Sequence, residues 1–267
     1  MHRAQRRVLI LGGSSEGFVL AERLADEPGV HVISSLAGRT KTRRRPVGEM
    51  RLGGFGGADG LKAYLGAEKI AAVIDATHPF ARNMTHNAAE AAAAAAVPIV
   101  HCWRPEWRRG ARDRWIEVDS MVDAAAAIPP GATPAFLTTG RTDLAAFTGR
   151  TDLRFLARVI EPIRPEGPDE IWPGELEFIY ARGPFRYDEE RALLESRNVR
   201  CIVTKNSGGA AARAKLDAAR DLDLPVVVVR RPPKPAGTHV ATAEEAVDWL
   251  FATLGDAPGA AAGKPAA

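Results

Sequence analysis

The feature that most restricts the fold is a strand, a glycine loop and a helix in direct succession, RVLILGGSSEGFVLAERLA at residues 7–25. An apolar run at residues 8–11 leads into the loop, where Gly12, Ser14 and Gly17 stand at the three conserved positions of the pattern G-x-G-x-x-G. In that pattern, backbone N–H groups at the helix N-terminus attract phosphate. The sequence therefore predicts a Rossmann-like unit in this part of the chain.

Serine replaces the middle glycine of this loop, and that glycine normally lets the backbone approach a pyrophosphate. Ser14 reduces the available room, but Ser14 and Ser15 add hydroxyls that can donate to phosphate oxygens. A capped β-to-α turn without a ligand is the alternative, and the loop alone does not separate the two. The predicted phosphate-binding residues are Gly12, Gly13, Ser14, Ser15, Glu16 and Gly17.

Short β-branched runs alternate with helical patterns along the rest of the chain, which predicts parallel βαβ units. Strands are expected at residues 8–11, 30–34, 49–52, 72–75 and 98–102, and again at 135–138, 155–160, 178–181, 201–204 and 226–229. The segment IPPGATP, at residues 128–134, has the composition of a linker. We therefore predict an α/β protein of two Rossmann-like domains, with mainly parallel sheets that face each other across a cleft. The expected domains are residues 1–128 and 129–255, followed by a disordered tail at 256–267.

Composition limits the possible partners. The 267 residues, 46% of them apolar, can form two cores, and a net charge of +3 suits an anionic small molecule as well as a nucleic acid. Two cysteines, Cys102 and Cys201, give neither a metal-binding spacing nor a disulfide framework, as is usual in a reducing cytosol. No apolar stretch is long enough to suggest a membrane span. Charge alone does not separate these two partners; together with the motifs described below, we expect a cytoplasmic protein without a metal and with no membrane or nucleic-acid partner.

The segment after the second predicted strand, SSLAGRTKTRRRP, contains five basic residues, and no acidic residue occurs between Glu27 and Glu49. Enzymes that use NAD place an acidic residue on the ribose here, whereas enzymes that use NADP place arginine near the 2'-phosphate. Ser35 directly follows the strand, and Arg39 and Thr40 come next, within reach of such a phosphate. A solvated basic loop is the alternative, but together with the first loop the pattern favours NADP(H).

A polar turn, VIDATHPFA at residues 73–81, follows the fourth predicted strand. Ligands of open parallel sheets bind beyond the carboxyl ends of the strands, so Asp75, Thr77 and His78 are expected near the nicotinamide half of the cofactor. His78 is a candidate proton donor; alternatively, it packs against or caps the next helix.

Two similar loops follow strands of the second series, FLTTGR and TKNSGG. The second loop enters a helix and combines a lysine, a hydroxyl and backbone N–H groups, which together favour an anion. It is not a Walker A loop, because the pattern G-x-x-x-x-G-K-[ST] is absent.

Between the two series, HCWRPEWRRGARDRW places Trp103, Trp107 and Trp115 among five arginines. This mixture suits a large, flat polyanion or single-stranded nucleic acid. A linker with partly packed tryptophans fits the sequence equally well.

Taken in order, LILGGSSEG, SSLAGR, DATHPFA, FLTTGR, ARGPF and TKNSGG closely resemble the precorrin-6A reductase family of cobalamin biosynthesis, over residues 8–254. Family members commonly read GGTxEA at the first loop, where this chain has Ser14 and Gly17. The resemblance implies two Rossmann-like domains, NADPH, and reduction of a double bond in a tetrapyrrole macrocycle, with or without cobalt.

The resemblance assigns cofactor binding to the first loop together with Ser35, Arg39, Thr40, Asp75 and Thr77. It assigns substrate binding to Thr139, Gly140, Arg141, Lys205, Asn206, Ser207 and Gly208. His78, Lys205 or a bound water would supply the proton.

Two other classes of protein share part of this pattern. A classical short-chain dehydrogenase needs Tyr-x-x-x-Lys, and none of Tyr64, Tyr180 and Tyr187 has lysine four residues on. A non-catalytic NADP(H)-sensing regulator would keep the first-domain loops but has no need for Arg141 and Lys205. Turnover of NADPH with the tetrapyrrole separates the regulator from the enzyme.

Overall fold

The computed structural model describes residues 5–38, 45–161 and 173–255. Within these ranges it contains two six-stranded sheets, and the strand pairs in both sheets are parallel. This agrees with the α/β class that the alternating sequence pattern predicts. None of the helices in the described part of the chain is long and apolar enough to span a membrane.

The first sheet has the strand order β12-β5-β4-β1-β2-β3. Its strands are β1 (Arg6–Leu11), β2 (Val30–Leu36), β3 (Glu49–Leu52), β4 (Ile70–Asp75), β5 (Ile99–Cys102) and β12 (Thr238–Val240). Its helices are α1 (Ser15–Leu24), α2 (Gly57–Ala67), α3 (Arg82–Ala94) and α7 (Ala243–Leu254). Helices α1 and α7 share one core with the sheet, while α2 and α3 share the other. The first sheet is therefore covered on both faces, as its continuous apolar strands require.

The second sheet has the strand order β6-β11-β10-β7-β8-β9. Its strands are β6 (Arg114–Val118), β7 (Ala135–Leu137), β8 (Arg154–Val159), β9 (Glu175–Tyr180), β10 (Cys201–Lys205) and β11 (Pro225–Val229). The accompanying helices are α4 (Met121–Ala127), a 3₁₀ helix at Arg141–Phe147, α5 (Tyr187–Ser196) and α6 (Ala214–Asp221). Trp107 and Trp115 lie in the core of this unit, so for these two tryptophans the packed alternative is confirmed.

The chain divides into two compact units at positions that differ from the expected boundary at residue 128. One unit contains the chain up to Arg104 and from Pro233 on, and the other is Pro105–Pro232. Strand β6 pairs with β11 in the second sheet, while β12 pairs with β5 in the first. Helix α7 packs in the first core, although the sequence pattern assigned it to the second domain. The expected cleft stays a prediction, and the expected tail at 256–267 lies outside the described residues.

Buried charges lie beside the apolar core of the second unit. The Arg158 guanidinium donates two hydrogen bonds to the Glu190 carboxylate, at 2.7 and 3.1 Å. The Lys215 side chain is buried nearby; its Nζ donates to the Ala212 carbonyl at 2.7 Å and lies 4.9 Å from the centre of the Trp107 ring. Burial lowers the pKa of Lys215 from 10.5 to about 7.

Replacing Lys215 with methionine is expected to raise the free energy of unfolding at pH 6.5 by about 2 to 4 kcal/mol. Because the pKa of Lys215 is lower in the folded chain, the unfolded chain holds this proton more tightly. The free-energy cost of burying the charged ammonium is therefore fully present below about pH 7. It disappears as the pH rises towards 10.5, so the advantage of Lys215→Met should shrink between pH 6.5 and 9.5. Urea unfolding at both pH values measures this. Lys62→Met, at an exposed position, is the matched control and should show no such trend.

Candidate functional site

The loop between β1 and α1 has the close packing that the glycine pattern requires. A Cβ atom on Gly12 would lie 2.8 Å from Leu36 Cδ2, and one on Gly17 would lie 3.2 Å from the Gly12 Cα. Gly13 has a φ of 127°, which favours glycine, and the space beside it is open. The N-terminus of α1 therefore lies against the strand, with an open surface over the loop.

Ser14 caps α1 and ties the loop to the end of β4. Its Oγ accepts a hydrogen bond from the Gly17 N–H at 3.4 Å and donates to the Ala76 carbonyl at 2.7 Å. The single hydroxyl proton is therefore used inside the protein, and the expected donation to phosphate would require this bond to break. Ser15 is exposed, and its hydroxyl donates to Glu16 Oε2 at 3.2 Å.

Glu16, in the first turn of α1, forms an ion pair of 2.7 Å with Arg104 just after β5. Burial opposes ionisation of this carboxyl, but the Arg104 charge and local hydrogen bonds hold the pKa of Glu16 below its ordinary value. The pair offsets a negative charge that would otherwise repel a phosphate from the loop. Sequence reasoning missed Arg104, because it lies 88 residues away in the chain.

A second basic group, Arg51 of β3, lies beside the end of β2. Ser35 is buried; its carbonyl accepts from the Gly12 N–H at 2.9 Å and its Oγ accepts from Arg51 at 3.3 Å. The Arg51 guanidinium also donates to the Gly53 and Gly54 carbonyls and lies 3.7 Å from the centre of the Phe55 ring. In the parallel pairing of β2 with β3, Arg51 lies opposite Ser35. A correct prediction of that pairing would have identified Arg51 as a neighbour of the loop. The predicted residues Arg39 and Thr40 lie outside the described ranges.

At the end of β4, the Asp75 carboxylate is turned inwards. It is 3% exposed, and its Oδ1 accepts from the Thr77 N–H at 3.1 Å and from the Thr77 hydroxyl at 2.7 Å. Its Oδ2 lies 2.8 Å from His101 Nδ1. Protein groups contact both carboxylate oxygens, so Asp75 shapes the turn here, and its direct contact with a cofactor stays a prediction. Thr77 is half-buried in the turn itself.

His78 lies in the same turn, and its tautomer follows from its surroundings. The Phe80 N–H donates to His78 Nδ1 at 3.3 Å, so a neutral ring carries its proton on Nε2. That N–H is a hydrogen-bond donor at the carboxyl edge of the first sheet.

In the second unit, Lys205 brings together the two loops that the sequence analysis singled out. Its Nζ donates to Asp143 Oδ2 at 2.6 Å and to the Thr139 carbonyl at 3.2 Å. Gly140 precedes the 3₁₀ helix that begins at Arg141 and contains Asp143. Both side chains are mostly buried: that of Lys205 is 19% exposed and that of Asp143 is 17% exposed. Sequence reasoning missed Asp143, although it lies only two residues beyond the FLTTGR loop.

The Asn206 side chain contacts the protein itself, and its role in substrate binding stays a prediction. Its side chain accepts from the Trp107 N–H at 2.9 Å and donates to the Trp107 carbonyl at 3.1 Å. The Arg231 guanidinium donates to the Asn206 carbonyl at 2.7 Å and also to the Pro105 carbonyl. Asn206 therefore fixes the segment at which the chain enters the second unit.

Ser207 and Gly208 complete this loop. Ser207 is buried, and its N–H donates to the Lys205 carbonyl at 2.7 Å. Gly208 has a φ of 64°, and a Cβ atom there would overlap the carbonyl oxygen of Pro105. The close contact with the Pro105 carbonyl therefore explains why a glycine stands at position 208.

Among the residues that the structure describes, the remaining reactive side chains do not form a metal site. The described ranges contain no group of three or more His, Cys, Asp and Glu side chains that could hold a metal ion. Cys102 and Cys201 are free and buried, and burial raises the pKa of each thiol to about 12. Both are therefore neutral thiols at physiological pH.

Comparison with known proteins gives consistent matches along nearly the whole chain. Residues 7–251 match the family model described as precorrin-6x reductase CbiJ/CobK. A precorrin-6A reductase of Rhodococcus erythropolis is 46% identical over 245 residues, covering 91% of this chain and 97% of that protein. A cobalt-precorrin-6A reductase of Priestia megaterium is 28% identical over 252 residues, covering 91% and 97%. A solved structure titled CobK precorrin-6A reductase superposes with a TM-score of 0.88 at 40% identity, covering 96% of this chain and 99% of that one.

Proposed function

Because the chain belongs to the precorrin-6x reductase family, we infer that it is an oxidoreductase that reduces a carbon–carbon double bond of precorrin-6A, giving precorrin-6B, in cobalamin biosynthesis. The observation that carries this conclusion is the family match over residues 7–251 on a chain with both six-stranded sheets. The metal-free substrate is favoured because identity to a precorrin-6A reductase is 46%, against 28% to a cobalt-precorrin-6A reductase.

A nicotinamide cofactor fits the first unit. The close approach at Gly12 and Gly17, the open space beside Gly13 and the N-terminus of α1 form a cradle suited to phosphate. Arg104 offsets the charge of Glu16 next to that cradle. When bound there, NADPH supplies the hydride, and the residues of the unit orient the cofactor.

The proposed substrate site lies on the second unit, at the carboxyl ends of β7 and β10. Arg141 and the Lys205 ammonium suit the carboxylates of a tetrapyrrole. Lys205 exchanges or shares its Asp143 contact when it binds a substrate carboxylate. Asn206 and Gly208 support this loop by fixing its backbone. His78 Nε2 is a candidate donor of the proton that the reduced macrocycle takes up, with Lys205 and water as the others.

We expect NADPH to be preferred over NADH, since residues 28–48 contain no acidic side chain to bind the ribose hydroxyls. Arg39→Ala should weaken NADPH binding by about 1.5 to 3 kcal/mol, the value of a charged hydrogen bond, and should leave NADH binding nearly unchanged. Titration of the variant with each cofactor measures this, and Arg23→Ala in the last turn of α1 is a basic control. Equal losses for NADPH and NADH would contradict the assignment of Arg39 to the 2'-phosphate.

The function itself is tested by incubating purified protein with precorrin-6A and NADPH and following both reactants. Stoichiometric oxidation of NADPH and formation of a product two hydrogen atoms richer are expected. Binding of NADPH without consumption of the tetrapyrrole would instead indicate a sensor of the cofactor.

A further inference from the structure

Three polar side chains lie in register across neighbouring strands of the first sheet. Asp75 of β4 pairs with His101 of β5, and His101 pairs with His239 of β12. Neighbours in register on parallel strands project from the same face of the sheet. The two imidazole rings are stacked with their centres 5.4 Å apart, and the His101 side chain is only 1% exposed.

The contacts of this row converge on the turn that contains His78. His101 Nδ1 lies 2.8 Å from Asp75 Oδ2, while the other carboxylate oxygen accepts both hydrogen bonds from Thr77. The Thr77 hydroxyl also lies 3.1 Å from the Thr85 hydroxyl on α3. An ionised Asp75 only accepts hydrogen bonds, so His101 must carry its proton on Nδ1. The orientation of the Asp75 carboxylate therefore depends on His101, and the conformation of Thr77 depends on Asp75.

The Nε2 atom does not explain a histidine at position 101. The buried Nε2 atoms of His101 and His239 have no hydrogen-bond partner among the described residues. A buried polar atom without a partner costs about 1 to 3 kcal/mol, so these Nε2 atoms give a histidine no advantage over an apolar ring. The contact that distinguishes His101 from such a ring is its Nδ1–H bond to Asp75.

We propose that His101 is a positioning residue for the reduction: by holding Asp75, it fixes the turn at residues 77–80, and so directs His78 Nε2–H towards the reacting groups. This rests on the proposed function. The Phe80 N–H that sets the His78 tautomer belongs to the same turn, so a change in the turn alters both the direction and the tautomer of His78. His101 itself stays buried and acts through Asp75.

The proposal is tested with three variants. His101→Phe removes the donor to Asp75, and kcat should fall about 10- to 100-fold, because small displacements of reacting groups have effects of this size. His101→Asn keeps an N–H near the position of Nδ1, and kcat should stay within about threefold of the wild type. His239→Phe, in the same row but without a bond to Asp75, is the matched control and should also keep kcat. The KM for the tetrapyrrole and the Kd for NADPH should change little in all three.

Nitrogen-15 NMR of the histidine side chains gives a readout independent of turnover. His78 should be the Nε2–H tautomer in the wild type, in His101→Asn and in His239→Phe, and should become a mixture in His101→Phe. An unchanged His78 signal in His101→Phe, or an equal loss of kcat in His101→Asn, would overturn the proposal. A wild-type protein that does not turn over the tetrapyrrole would contradict the proposed function, while the NMR comparison would still decide the role of His101.

Discussion

Replacement of Gly208 with alanine should lower the free energy of unfolding by about 3 kcal/mol or more. The left-handed backbone conformation at this position costs a residue with a Cβ about 1 to 2 kcal/mol. The overlap of that Cβ with the Pro105 carbonyl adds about 1 to 3 kcal/mol, the usual range for overpacking. The Pro105 segment cannot easily move aside, since Arg231 binds its carbonyl and Asn206 binds the Trp107 backbone.

Urea unfolding of Gly208→Ala and of a matched control measures this effect. Gly149 lies in the same unit, its φ is not in the left-handed region, and a Cβ there would meet nothing within 4 Å. Gly149→Ala should therefore change the free energy of unfolding by less than about 1 kcal/mol. Equal stability of the two variants would show that the Pro105 segment yields, and that Gly208 is not required for packing.

Lys205→Ala should lower kcat/KM for the tetrapyrrole about 100- to 1,000-fold and leave the Kd for NADPH within error. Loss of a charged hydrogen bond to a substrate carboxylate accounts for about 1.5 to 3 kcal/mol. The variant also leaves the mostly buried Asp143 carboxylate without the ammonium now 2.6 Å away, and that negative charge then repels the substrate. Steady-state kinetics and cofactor titration of the folded variant give both quantities.

A double variant separates the two contributions. Adding Asp143→Ala to Lys205→Ala removes the repelling carboxylate, so kcat/KM should recover about tenfold without reaching the wild-type value. Asp143→Asn alone should keep substrate turnover, because the ammonium remains. If folded Lys205→Ala has normal tetrapyrrole kinetics and only a lower thermal midpoint, then Lys205 is a structural partner of Asp143 and not part of the substrate site.

The sequence was most informative where one strand leads directly into one helix. The strand–glycine–helix pattern at residues 7–25 predicts β1, the loop and α1, because each of them depends on local residue types. Strand β6 was missed, because only Trp115 of RWIEV is buried and the surrounding arginines hide the alternation. Strand β12 has three residues, and its place beside β5 is set by packing distant in the sequence.

In the candidate site, too, the sequence predicts features that depend on neighbouring residues but not contacts between residues distant in the sequence. The positions of Gly12 and Gly17 follow from the motif, and the structure explains both by close contacts. What the sequence could not give is the partner of each polar side chain, because those partners come from distant parts of the chain. The Asn206 side chain accepts a hydrogen bond from the Trp107 N–H, 99 residues away in the sequence. Lys205 forms an ion pair with Asp143, 62 residues away. A residue type at a strand end therefore predicts a polar site, but not which side chains face the ligand.

The order of the two units along the chain has a consequence for synthesis on the ribosome. Residues 105–232 are contiguous, so the second unit can complete its core as soon as it has left the exit tunnel. The unit begun first cannot, because β12 and the core residues Leu250 and Phe251 are translated only after the second unit. Until then, the apolar surface that α7 covers on α1, β4 and β5 is exposed to solvent and to chaperones. Translation thus finishes the two units in the reverse of the order in which it starts them.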